Sequence, residues 1–527
     1  MSGLEERYYV AQPAQKPNRA LADDTAAALS SAPAGFSVYA NAMVLPMQRD
    51  GKAYDRRRVC SGGVCDEHYN FIAGLLHHRG PHEPADFECY RAYRPHQVLR
   101  SNESVIFGGI ICGQFGTFLM YSLMRLWYVL EHADEGLRIA FVVWEDINPW
   151  KKGYLEWLKL AGIDSRRVML VMLPMQFKSV IVPEQSLYVN DEREQVQPEA
   201  FLAPFEAMIR NAPPQPRRRI YLSRSRYAAC DVFNEGYFEH FFAERGFAII
   251  YPEQLTPAEQ VGCLAGAEEI VCTFGTLSHL AVFAAEHTRL TVLMRSALAG
   301  NNIFQTLINQ LRHIRYTAVD VSLNFLPTTH DCYCGYLLGP TRHWQDFVRD
   351  EYGEEVPAGG IDVLGRPDIG AYLKFYLQEI RDRSKYLNIY GYAMDYAAFH
   401  RMLCLTFRPQ TDDDEMVRAL GMLQCQELAG GTFRLTSVVD GDEALLSLGA
   451  DGSVVVVRPA RQERLTQRLC RWCWMRRRLY FLESNGSVAA EFSVTATTGG
   501  GEIAMLSGCQ TFNRACWLQL RPAAGGE

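Results

Sequence analysis

Continuous apolar runs alternate with segments of helical periodicity over the first half of the chain. Residues 104–110 and 137–144 are apolar runs typical of strands buried on both faces. Residues 115–131 and 153–161 have the pattern of helices. Strands that alternate with helices predict a parallel sheet covered by helices. We therefore predict an α/β lobe over residues 36–212.

The alternation pauses at the Pro- and Arg-rich residues 211–219, a predicted linker, and then resumes. Strands are predicted at residues 219–222, 247–251, 269–272 and 290–293, with helices between them. One of these helices has Thr256 as its N-cap and Pro257 at its first position. Residues 217–410 are therefore predicted to form a second α/β lobe that ends in returning helices. Two such lobes form a cleft, and ligands bind outside the carboxyl ends of the strands.

The two ends of the chain have different patterns. Residues 1–35 are rich in Ala and Pro, which predicts a flexible arm with regular structure beginning near Gly35. From Gly431 onward, short apolar runs are separated by turn signals such as Asp451-Gly452 and Asn485-Gly486. Residues 425–523 are therefore predicted to form a β-sandwich-like accessory domain.

Composition narrows the class of protein. The 527 residues carry a formal net charge of −7, which argues against a nucleic-acid partner. The 15 cysteines are scattered and no secretory signal is apparent, so reduced thiols and a cytoplasmic location are expected. Residues 105–124 carry no charge, but glycines interrupt them. A buried strand, a turn and a buried helix explain this stretch better than a membrane span.

The first candidate site is the segment Tyr221-Leu-Ser-Arg-Ser-Arg226, a predicted strand that runs into a loop. Guanidinium groups at Arg224 and Arg226 suit a diphosphate, because each can bind two oxygens in parallel. The alternative is a solvated basic loop, which composition alone favours.

The second candidate is the loop Phe274-Gly-Thr-Leu-Ser-His279, between a predicted strand and helix. Backbone N–H groups near Gly275 and Thr276 could bind an anion, and Ser278 and His279 lie in the first helical turn. The alternative is a structural histidine at a helix start.

Together these features resemble the catalytic region of glycosyltransferase family 61. The resemblance rests on YLSRSR, Asn234-Glu235, Gly246-Phe247, Tyr251-Pro-Glu253 and the FGTLSH loop, and is best over residues 217–295. It implies a GT-B fold, an inverting mechanism and a nucleotide-sugar donor. It assigns donor binding to Arg224, to Phe274-Gly275-Thr276 and to His279.

The sequence also departs from the family pattern. Phe274 stands where the family often has His, and Thr117 and Tyr121 replace a His and an acid in the first lobe. An inverting transfer needs a base for the acceptor hydroxyl. Glu145 and Asp146 follow the predicted strand 137–144 and are the candidate bases. They could instead cap the next turn.

The sequence suggests two further kinds of site. Gly109, Gly113 and Gly116 outline a dinucleotide site, but their spacing is not G-x-G-x-x-G, which ranks an oxidoreductase below a transferase. Cys60, Cys65 and His68 could bind zinc, but buried thiols fit better. No metal and no cofactor are expected.

An Arg-rich stretch precedes the end of the predicted β domain. Helical spacing is shared by Arg461, Arg464, Arg468 and Arg471. This face could contact an anionic membrane or an acidic glycan. The alternative is a solvated helix packed on the β domain.

The sequence therefore predicts an inverting, metal-independent hexosyl- or pentosyltransferase that acts on a glycan acceptor, with surface-polysaccharide synthesis as the expected setting. A peripheral position at the inner face of a membrane is a further expectation. The departures from the family pattern leave a non-catalytic carbohydrate-binding protein as the alternative of a different class.

Overall fold

The computed structural model describes most of the chain. Its description leaves out residues 1–5, 11–27, 30–32, 50–59, 74–92, 112, 144–152, 190–193, 214, 216–217, 228–230, 296–302, 324–334, 357–369, 377, 379–427, 450–451, 463–464, 467–468, 476–477, 483–487, 511–516 and 524–527.

The first lobe is built on a mixed sheet. Four parallel strands lie side by side in the order Met175–Pro183, Leu99–Ile111, Arg138–Val143 and Val168–Val171. Antiparallel strands extend the sheet at Phe36–Ala40, Met43–Arg49, Cys60–Cys65 and Phe71–Ala73. The helices of this lobe are Phe115–Thr117, Leu126–Glu131, Tyr154–Leu160 and Pro198–Asn211.

The helix predicted over residues 115–131 is interrupted. A π-helical turn, Phe118–Ser122, separates its two α-helical parts. Such turns occur often at functional sites. This one is buried throughout, and Gly116, just before it, lies close to Thr276 of the second lobe.

The second lobe is a six-stranded parallel sheet. Its strand order is Glu6–Tyr9, Arg315–Asp320, Arg289–Met294, Glu269–Thr273, Arg219–Leu222 and Ala248–Ile250. Its helices are Glu235–Ala243, Pro257–Ala265, Thr276–His279, Ile303–Leu311 and Arg342–Tyr352. The predicted cap is confirmed, because the Thr256 side chain accepts a hydrogen bond from the Glu259 N–H.

The prediction that regular structure begins near Gly35 is wrong for residues 6–9. They form the edge strand of the second sheet, paired in parallel with Arg315–Asp320. These four residues have little apolar patterning and so give no sequence signal of a strand. Their strand pairing depends on a partner more than 300 positions away.

The two lobes share a continuous apolar core. The Phe283 ring of the second lobe stacks on Trp157 with 5.8 Å between ring centroids and meets Phe205 edge-on at 5.5 Å. The parallel strands in both sheets confirm the prediction of mixed α/β lobes. The more specific GT-B fold stays a prediction.

The C-terminal part is an eight-stranded antiparallel sheet. Its strands are Thr432–Ser437, Glu443–Leu448, Val454–Arg458, Arg471–Met475, Arg478–Leu482, Val488–Thr497, Ile503–Gln510 and Trp517–Pro522. The strands at its two edges approach each other through a bridge between Ser453 and Arg471. The sheet is thus a nearly closed barrel rather than the sandwich that was predicted, and we call it the barrel.

The helical spacing predicted for the Arg-rich stretch is wrong at its end. Arg471 lies in the strand Arg471–Met475 and is only 6% exposed. A buried arginine cannot contact a membrane surface. Arg461 is exposed, and Arg464 and Arg468 lie outside the described residues. Of the helices in the described part of the chain, none has the length and apolar character needed to span a membrane.

Candidate functional site

The candidate site lies where parallel strands of the second lobe end. The strands Arg219–Leu222, Glu269–Thr273 and Arg289–Met294 are adjacent and run in one direction. The residues that follow them, Arg224, Gly275 and Arg295, therefore gather at one edge of the sheet.

Two arginines at this edge share one carboxylate. The guanidinium nitrogens of Arg224 and Arg295 lie 3.8 and 3.7 Å from the Asp231 Oδ1. Both distances exceed those of hydrogen bonds, so the carboxylate holds the two cations mainly through charge. The Asp231 Oδ1 is buried and has no hydrogen-bond partner among the described residues. Arg295 was missed from sequence because it follows an ordinary buried strand without a motif.

The glycine of the FGTLSH loop makes room for Arg295. Gly275 has φ +127°, and a Cβ built on it would lie 2.8 Å from an Nη of Arg295. Both that conformation and that closeness favour glycine. The Ser278 hydroxyl donates to the Gly275 carbonyl at 2.9 Å, so this side chain shapes the loop. His279 is buried and packs edge-on against Phe304, with ring centroids 6.0 Å apart.

A buried glutamate holds the Arg224 backbone. Glu235 begins the helix Glu235–Ala243, and its carboxylate accepts from the Arg224 N–H at 3.1 Å and from the Tyr221 hydroxyl at 3.2 Å. Glu235 is 2% exposed, and this burial raises its pKa to about 7. The neighbouring carboxylate of Glu239 raises the pKa too, while the hydrogen bonds lower it.

A second glutamate, one turn later in the same helix, holds the rest of this loop. The Glu239 Oε1 accepts from the Ser223 and Ser225 hydroxyls, each at 2.5 Å. Its Oε2 accepts from the Tyr251 hydroxyl at 3.4 Å. Residues four apart lie on one face of a helix, which explains how both acids reach the loop.

Among the described contacts, Arg226 has none with Asp231, unlike Arg224 and Arg295. Its guanidinium lies over the Tyr251 ring, 4.0 Å from the centroid, and the side chain is exposed. The strand Ala248–Ile250, which precedes Tyr251, is on the far side of Arg219–Leu222 from the Gly275 loop. The two predicted arginines therefore diverge.

The first lobe contacts the Gly275 loop. A Cβ on Gly116 would come within 2.6 Å of the Thr276 Oγ1. The Tyr121 ring packs edge-on against Phe304, 5.5 Å between centroids, and Phe304 in turn contacts His279. The Gly275 loop of the candidate site thus contacts the first lobe, and the predicted cleft stays a prediction.

The structure gives little support to the dinucleotide site and the zinc site that the sequence suggests as alternatives. A Cβ on Gly116 would meet the Thr276 side chain, so close packing between the lobes explains this glycine without a dinucleotide. Burial raises the pKa of Cys65 to about 12, and the His68 side chain is 76% exposed. No group of three or more potential metal ligands occurs among the described residues.

The candidate bases lie outside the described residues. The strand Arg138–Val143 ends just before Glu145 and Asp146, at the position the sequence predicted. Their roles stay a prediction.

Comparison with known families agrees with this geometry. The family model for Glycosyltransferase 61 matches residues 115–291, about a third of the chain. The match begins at the segment that contacts Thr276 and includes Arg224, Asp231, Glu235 and the Gly275 loop. The resemblance found in the sequence is therefore confirmed, and residues 115–291 are a glycosyltransferase family 61 region. This supports glycosyltransferase activity in general. No curated protein matches the chain at a significant level.

Proposed function

We propose that the protein is an inverting glycosyltransferase that moves a hexosyl or pentosyl group from a nucleotide sugar to a hydroxyl of a glycan. The observation that carries the proposal is the convergence of Arg224 and Arg295 on Asp231 beside Gly275. This cluster lies at the carboxyl edge of a parallel sheet, next to the other lobe, where ligands of such folds bind.

The two guanidinium groups are suited to hold the diphosphate of the donor. Charged hydrogen bonds from arginine to phosphate oxygens are short and can be bidentate. The two cations face Asp231, with guanidinium nitrogens 3.8 and 3.7 Å from its Oδ1. Gly275 and Thr276 stay part of the proposed donor site, because Gly275 lets the Arg295 guanidinium lie against this loop.

The transfer itself needs a base and a stabilised leaving group. The base takes the proton of the acceptor hydroxyl while its oxygen attacks the anomeric carbon. The bond from that carbon to the phosphate oxygen breaks, and the nucleoside diphosphate leaves with the bonding electrons. Arg224 and Arg295 would stabilise the negative charge that develops on the phosphate. Because two fixed cations supply this stabilisation, we propose that no metal ion is required.

The acceptor would bind on the first lobe, opposite the arginines. We keep Asp146 as the proposed base, with Glu145 as the second choice, because they follow the strand Arg138–Val143. The cytoplasmic face of a membrane and surface-polysaccharide synthesis are the setting that we propose for the reaction.

Calorimetric titration with UDP and GDP in the presence of EDTA tests the donor site. We expect one of the two to bind to the wild-type protein and EDTA to leave the affinity unchanged. Absence of binding by both would contradict the donor-site assignment. Binding that EDTA abolishes reversibly would contradict the metal-independent mechanism.

A further inference from the structure

The outer face of one barrel strand is buried. Along Arg471–Met475, Trp472 and Trp474 pack into the barrel core, so Arg471 and Cys473 face outward. Yet these two residues are only 6% and 2% exposed. Tyr480, paired with Cys473 on the next strand, is 3% exposed. This part of the barrel surface is therefore covered by other parts of the chain.

Arg471 reaches the sheet of the second lobe. Its Nη2 donates to both carboxylate oxygens of Asp320, at 3.1 and 3.0 Å. The two side chains are 7% and 1% exposed. Asp320 is the last residue of the strand Arg315–Asp320 and is paired with Met294, the residue before Arg295. The ion pair thus lies one strand away from an arginine of the candidate site.

Asp320 also fixes the backbone that follows it. Its Oδ1 accepts from the Ser322 N–H at 2.9 Å. The Leu323 N–H then donates to the Leu337 carbonyl at 2.8 Å. These bonds hold the short strand Tyr336–Leu337 against the end of the sheet.

Tyr336 connects this short strand to the arginines. Its N–H donates to the Asp231 carbonyl at 2.7 Å, and its ring lies 4.3 Å from the Arg295 guanidinium. Asp231 in turn faces both Arg224 and Arg295. A continuous series of contacts therefore runs from a barrel strand to the two arginines.

We propose that the barrel helps to position the donor site. Arg471 is the positioning residue on the barrel. It acts through Asp320 and Tyr336 on Arg295 and Asp231. This inference rests on the proposed donor function of Arg224 and Arg295. Removing one partner of a buried ion pair leaves an uncompensated charge, so the end of the strand must rearrange when Arg471 is lost. That rearrangement would reach the arginines without any change in the residues that touch the donor.

Hydrogen exchange in the full-length protein tests the coupling without a ligand. We expect Arg471→Met and Asp320→Asn to speed exchange of backbone amides at residues 321–323 and 336–338. Arg471→Lys keeps the charge and should have a smaller effect. The control is Arg478→Met, on the neighbouring strand, because Arg478 is exposed to solvent and pairs with Glu491 of the same barrel. Unchanged exchange in both Arg471→Met and Asp320→Asn would overturn the proposal.

Calorimetry with UDP and GDP on the same variants separates positioning from simple loss of stability. For whichever nucleotide the wild type binds, we expect affinity to fall roughly 3–30-fold in Arg471→Met, measured well below its unfolding temperature. It should stay unchanged in Arg478→Met. A lower unfolding temperature with wild-type affinity would overturn the proposal. If the wild type binds neither nucleotide, the donor function fails, and the exchange result still decides whether the barrel controls the position of the cluster.

Discussion

Gly116 of the first lobe lies so close to Thr276 of the second that a Cβ at position 116 would come within 2.6 Å of the Thr276 Oγ1. Thr276 is in the loop that carries Gly275, the glycine beside Arg295. The two lobes therefore contact each other directly at the loop of the candidate donor site.

Gly116→Ala should push the lobes apart at this loop. We expect a loss of about 1–3 kcal/mol in the free energy of unfolding, the usual cost of overpacking, and slower transfer. Chemical denaturation and transfer rates would measure both. The double variant Gly116→Ala with Thr276→Ala removes the clashing Oγ1 and should recover stability. A single variant as stable as the wild type would contradict the described contact.

Arg224→Ala and Arg295→Ala should each weaken binding of a nucleoside diphosphate. A hydrogen bond to a charged group is worth about 1.5–3 kcal/mol, so we expect a loss in this range for each variant. Arg226→Ala is the matched control, because Arg226 lies over Tyr251 on the other side of the strand. Calorimetry gives the three affinities. If Arg226→Ala costs more than the other two, the sequence prediction for Arg226 is right and the assignment of Arg295 is wrong.

Glu235 should make stability depend on pH. Burial raises its pKa from 4.5 to about 7, so the folded protein binds the proton more tightly than the unfolded chain does. This contribution to stability is complete below pH 4.5 and is lost as the pH rises to about 7. Glu235→Gln cannot lose a proton, and its amide can still bond both Arg224 and Tyr221. We expect the variant to gain stability relative to wild type as the pH rises, by about 3 kcal/mol in all. Denaturation at pH 5 and pH 8 would show this, and an equal difference at both values would contradict it.

The base is tested by paired amide substitutions. If Asp146 removes the acceptor proton, Asp146→Asn should lower the transfer rate by about 10²–10⁴-fold and leave donor affinity unchanged. Glu145→Gln is the matched variant and should have a much smaller effect. Near-normal rates in both variants would mean that the base lies elsewhere.

The sequence predicted the elements of the site better than their arrangement. The loops with Arg224 and Gly275 could be found because each follows a buried strand with a recognisable motif, and parallel strands bring such loops together. Arg295 and Asp231 were missed, since they carry no motif and matter only through their distances to Arg224 and Gly275. Glu235 was noted as part of a family pattern, but its role depends on a bond to the Arg224 backbone.

Long-range pairing explains the larger errors. The strand Glu6–Tyr9 is stabilised by a partner at residues 316–319, which local patterning cannot reveal. The spacing of three or four residues among four arginines predicts a helix that includes Arg471. In the structure it lies in a strand, and its charge is paired with Asp320, 151 positions earlier. A buried ion pair between distant segments leaves no periodic signal in either of them.

The central claim is that Arg224 and Arg295 hold a nucleotide sugar for transfer. The most direct measurement is the release of nucleoside diphosphate from a panel of nucleotide sugars without an acceptor, with NMR of the anomeric proton of the released sugar. The account predicts slow release from at least one donor, with inversion at the anomeric carbon and loss of release in the Arg224→Ala, Arg295→Ala double variant. Binding of a glycan without release from any donor would contradict it and favour a non-catalytic carbohydrate-binding protein, and release that the double variant retains would contradict the assigned donor site.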